Sequence, residues 1–155
     1  MCDNQVQTTT GTVCVLAEGN GEQVLRTVRK FAISKTRNWS MLIVNKSENV
    51  GANAYKEIQN ISKKSKLIDY TVLEKDNYSL NGWSYFSKVV AKSFSLVKTR
   101  FVFFCNENSD PQISILDRVS RYLLNENIGA AKGLVKESTN LGVKSDVYAK
   151  IIFPA

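Results

Sequence analysis

The run RFVFFC ends on Asn106, Glu107 and Asn108, three polar residues just past an apolar stretch, at the kind of strand end where many α/β enzymes keep their catalytic carboxylates. In extended chain, positions 106 and 108 face one way and 107 the other. The amides of Asn106 and Asn108 would then share a face from which Glu107 points away. Asp110, followed by Pro111, reads as the N-cap of a helix. Asn and carboxylate also follow the other apolar runs, as AEGN at 17–20, NKSEN at 45–49 and EKDN at 74–77. Asn and Gly form such turns whatever the function, since the Asn side chain bonds its neighbouring backbone.

The sequence has no histidine, which excludes Ser-His-Asp and Cys-His nucleophilic sites and His-bearing zinc sites, and its three cysteines cannot complete a four-cysteine one. Any chemistry must rest on carboxylates, Lys, Tyr, Ser or a bound metal. Neither GxGxxG nor GxxxxGK[ST] occurs, so no phosphate loop of those two kinds is present.

The elements that must position these residues are legible from periodicity. TVCVL (12–16) is a short β-branched apolar run broken by AEGNGE and reads as a buried strand, SMLIV (40–44) as a second buried strand, LIDYTVL (67–73) as a third strand, and FVFFC (101–105), uniformly apolar, as a central strand covered on both faces. Between them Val24, Leu25, Val28, Phe31 and Ala32 share one helical face. Ala54, Ile58 and Ile61 form a second such stripe, and Trp83, Phe86, Val90, Phe94 and Val97 a third. Ile113, Leu116, Val119 and Leu123 give the helix after Pro111 its apolar stripe, and short strands are expected at 130–135 and in DVYAKIIFP. Continuous apolar strands alternating with amphipathic helices predict an α/β fold, a mainly parallel central sheet with helices on both faces. Ligands of such sheets bind beyond the carboxyl ends of the strands, so the four polar turns should converge on one edge.

At 155 residues and 43% hydrophobic, the chain suits one domain, read as 12–155 with a flexible N-terminus over 1–11. No apolar run is long enough to span a bilayer, and the polar start MCDNQVQTTTG lacks the regions of a signal peptide. We therefore expect reduced cysteines acting as small hydrophobes and a cytoplasmic or virion location. The formal charge of +7 attracts anions generally. Arg26, Arg29, Lys30, Lys35, Arg37, Lys63, Lys64 and Lys66 could steer nucleic acid. The aromatics, however, fall on core stripes rather than on an exposed stacking platform.

The order VCVLAEGNGEQVLRTVRKF, RNWSMLIVNKSEN, NYSLNGWSYFSKVVAKSFSLVKTRFVFFCNENSDP resembles the nucleotide-sugar-binding half of family 2 glycosyltransferases, which have the GT-A fold. The overlay covers roughly residues 12 to 135 and rests on order, spacing and hydrophobic character. The family's PxYN turn is matched by AEGN only at Asn20, its DDxS is echoed by Asn45-Lys46-Ser47, and its DxD metal motif falls on Asn106-Glu107-Asn108. The resemblance implies a nucleotide-sugar site lined by Asn20, Asn45, Asn106, Glu107 and Asn108. It implies a UDP- or GDP-sugar with Mn²⁺ or Mg²⁺ as ligand, although the residues themselves require no cofactor. It also implies weak or absent transfer, because both aspartates of the metal motif are replaced and little chain remains for an acceptor half. Two other readings stand beside it. One is a non-catalytic module of the same fold, assembled as a homo-oligomer or within a larger structure such as a phage or viral particle. The other is a basic nucleic-acid-associated protein.

Overall fold

In the computed structural model, residues 11–34, 38–46, 52–74, 82–107, 116, 130–132 and 148–151 are described. The order is β1 (Gly11–Ala17), α1 (Gly21–Ile33), β2 (Trp39–Lys46), α2 (Asn53–Lys64), β3 (Ile68–Leu73), α3 (Gly82–Leu96), β4 (Phe101–Asn106), β5 (Ala130–Lys132) and β6 (Tyr148–Ile151). The strands form one sheet in the order β3-β2-β1-β4-β6-β5. β1 to β4 are mutually parallel, and β6 runs antiparallel to both β4 and β5. The expected α/β architecture is present: the mainly apolar β1 and β4 lie in the interior of the sheet and are buried on both faces, apart from the half-buried Asn106 at the end of β4.

Alternation along the strands sorts the core into two layers. Val13, Val15, Met41, Ile43, Phe101, Phe103 and Cys105 face α1 and α2, which contribute Val24, Val28, Phe31, Tyr55 and Ile58. Cys14, Leu16, Leu42, Val44, Val102 and Phe104 face α3 through Val89, with Val90, Phe94 and Val97 partly buried against them. Phe94 meets Phe104 edge-on at 5.9 Å between ring centres, a geometry that adds roughly 1 kcal/mol to the area buried. Leu116, the one described residue of the helix expected after Pro111, is helical and buried in the first layer. The Asp110-Pro111 start lies outside the described residues.

Two details of the stripes differ from expectation. Ala32 is exposed and Thr27 takes a buried place on α1, because the helix ends at Ile33, near the edge of what it covers. Among the described side chains of α3, Val89 and Ser93 are buried and Val90 and Phe94 lie half out, while those of Trp83 and Phe86 lie outside the described residues. A small hydroxyl fits there because Ser93 donates to the Val89 carbonyl at 2.7 Å and meets the Cys14 thiol at 3.1 Å. Cys14 and Cys105 belong to opposite layers, so the sheet itself keeps them apart as free, buried thiols.

β1 leads through α1 to β2 and then through α2 to β3, away from β4. β4 lies on the other side of β1, reached through a helix on the opposite face. The direction of winding therefore reverses between β1 and β4. In open α/β sheets a ligand crevice forms outside the carboxyl ends of two strands related in this way. Among the described residues, no helix is long and apolar enough to cross a membrane.

Candidate functional site

The sheet edge at the winding reversal is formed by the turn Glu18-Gly19-Asn20 after β1 and by Asn106-Glu107 at the end of β4. Gly19 has φ +155°, a conformation that side chains rarely adopt. It lets three successive backbone N–H groups converge. The N–H of Glu18, of Gly19 and of Asn20 each donate to one oxygen, Oε2 of Glu107, at 2.7, 2.7 and 2.8 Å. Short bonds from amides to a carboxylate are the strong, charge-assisted kind. α1 begins one residue later, so the positive end of its dipole favours an anion at the same point.

Asn20 is the N-cap of that helix, its Oδ1 accepting from the Gln23 N–H at 3.3 Å. Gly21 allows the start of α1 to ride directly on α2: a Cβ there would stand 3.0 Å from both Ala54 Cβ and Tyr55 Cε2. The Tyr55 ring thus lies beneath the turn, 1% exposed. Its hydroxyl stands within electrostatic reach of the Glu107 carboxylate and of the Gly19 N–H. That N–H is committed to Glu107, and the Tyr55 Oη completes no hydrogen bond of its own. Burial raises the Tyr55 phenol to about 12, helped by the Glu107 charge and Tyr70 and slightly opposed by the Gly19 amide.

A buried hydroxyl without a partner is a defect that a phenyl ring lacks. Tyr55→Phe is therefore expected to raise unfolding stability by about 1 kcal/mol, read from the urea midpoint. A loss of similar size would mean that the hydroxyl is bonded in solution.

The other expected site residues are placed as follows. Asn45, at the end of β2, is fully buried; its Nδ2 donates to Tyr70 Oη at 2.8 Å and its Oδ1 accepts from the Lys46 N–H at 2.9 Å. It braces β2 against β3 rather than presenting a surface. Asn106 pairs in register with Leu16 across β1 and is half-buried. Asn108 lies outside the described residues. Glu107, expected to point away from its neighbours, turns across the sheet edge onto β1's loop.

The structure thus brings together the Asn20 turn and Glu107, and leaves Asn45 two strands away from β4. Sequence reading missed Tyr55 and Tyr70. Tyr55 follows Ala54 directly, beside the apolar stripe of α2, and its place under a turn is a tertiary fact that spacing does not carry. Among the described residues, no three His, Cys, Asp or Glu side chains converge to hold a metal ion. The fold and this edge define the class as a wound α/β domain whose winding reverses between β1 and β4. Neither a family model nor a curated protein matches the sequence.

Proposed function

We propose that this chain is a glycosyltransferase-like nucleotide-sugar-binding domain whose metal-dependent transfer chemistry is reduced or lost. The observation that carries the reading is Glu107. It is the one carboxylate within the triplet where a metal motif would end β4, and it binds three amides of the β1–α1 turn through a single oxygen. With Asn106 neutral beside it, these residues do not fit a divalent ion. The residues that remain can bind and orient: the Asn20 turn and the end of β4 form the edge where wound α/β sheets take their ligands.

The same observation favours a second reading, a non-catalytic module that keeps the fold for assembly, since packing persists after chemistry is gone. The readings separate on ligand binding. A UDP- or GDP-sugar at ten times its dissociation constant contributes about 1.4 kcal/mol, a rise in melting temperature of about 4 °C for a domain of this size. We expect that rise with or without Mn²⁺, and no steady release of nucleoside diphosphate. A flat melting temperature at millimolar nucleotide sugar would leave the assembly reading.

A further inference from the structure

An internal carboxylate gripped by three backbone amides marks a place built for an anionic oxygen. Two independent features meet there. One is the cradle itself, the N–H groups of Glu18, Gly19 and Asn20 converging at 2.7 to 2.8 Å on a single acceptor atom, with the positive end of a 13-residue helix behind it. The other is the Tyr55 hydroxyl, buried beneath the turn and lacking a hydrogen-bond partner. Glu107 satisfies the amides but leaves that fourth donor unused. A tetrahedral anion differs from a carboxylate in carrying further oxygens, so one oxygen can take the amides while another accepts from Tyr55.

We propose that the Glu18–Asn20 amides and the Tyr55 hydroxyl form a phosphate site, and that Glu107 is its exchangeable internal occupant. The ligand class is a phosphate group, free or as part of a nucleoside diphosphate. Assigning it to the nucleotide rests on the nucleotide-sugar reading, whereas the cradle does not. Displacement swings one side chain off the turn into water and breaks no element of the sheet. The exposed carboxylates of Glu18 and Glu22 flank the turn and oppose a dianion, but water and salt screen them. Together with the tethered Glu107, they hold wild-type affinity for free phosphate low.

The test is a titration of the full-length chain with inorganic phosphate at constant ionic strength, followed through the backbone amide signals of residues 18–20. UDP and a UDP-sugar form separate arms. In Glu107→Ala the amides should respond with an apparent Kd at least about tenfold lower than in wild type. Adding Tyr55→Phe should weaken that binding several-fold. Should Glu107→Ala not fold, Glu107→Gln keeps a neutral acceptor over the turn and is expected to show an intermediate gain. Equal titration of wild type and either folded variant, or amides at 18–20 that stay still at saturating phosphate, overturns the proposal. A UDP-sugar that stabilises the protein without moving these amides removes the cradle and leaves the nucleotide-sugar reading. Phosphate at the cradle with no effect of nucleotides does the reverse.

Discussion

Glu107→Ala is expected to lower unfolding stability by about 3 kcal/mol and to loosen the β1–α1 turn ahead of the rest of the fold. Bonds from neutral donors to a charged acceptor contribute roughly 1.5 to 3 kcal/mol each when nothing replaces the acceptor. Here three of them end on one oxygen, which argues for more. The turn itself is exposed, however, so water takes over part of what is lost. The net falls well short of the sum. Glu107→Gln should cost about half as much, because the amide oxygen still accepts but brings no charge. The urea midpoint gives the size, and hydrogen exchange at Gly19 and Asn20 gives the place. In wild type those two amides should be protected well beyond an ordinary exposed turn, and in the alanine variant they should exchange as if free. If stability falls while their protection persists, another group holds the turn and Glu107 acts elsewhere.

What was legible in the sequence divides along a physical line. Strands β1 to β4 and helices α1 to α3 were readable because each is governed by local pattern: apolar runs for β1, β2 and β4, a shorter run interrupted by Asp69 and Thr71 for the edge strand β3, and three-to-four-residue spacing for helices packed on one side. The parallel sheet followed from their alternation. The partners of the edge were not readable. Asn45 looks like a ligand-facing residue when only its position after an apolar run is known, yet two hydrogen bonds from its side chain bury it between strands. Glu107 looks misdirected by strand alternation, and it departs from that rule because β4 ends at Asn106, after which the pleat no longer fixes side-chain direction. Tyr55 sits 52 positions from Glu107 along the chain, and no periodicity links them. Local forces write the elements; the edge is made by which elements the winding brings together.

Raising the pH from 8 to 11 is expected to remove several kcal/mol of stability, on the order of 5, and to bring the protein close to unfolding. Burial drives the effect. It pushes the Cys14 thiol from 9.0 up to about 12, with the Ser93 hydroxyl opposing it only in part. Cys105 is pushed upward by burial and by its nearness to Cys14, and Tyr55 moves from 10.0 to about 12. In each case the fold keeps the group protonated where the unfolded chain has released its proton. The unfolded state then binds fewer protons, and stability falls as pH rises. Below pH 9 the contribution of the thiols is fully present. Above it each thiol removes about 1.4 kcal/mol per pH unit until its folded-state value is reached, with Tyr55 joining from pH 10. Native stabilities of 5 to 15 kcal/mol leave little room for such a loss. Urea midpoints measured under reductant at pH 8, 9.5 and 11 should fall steeply in wild type, and less steeply when Cys14→Ala and Cys105→Ala are combined. The alanines create small cavities and lower every midpoint, so the slope with pH is the quantity that decides. Parallel slopes in the two proteins would mean that the buried thiols ionise in the folded state as they do in the unfolded chain, and that the two core layers are open to water.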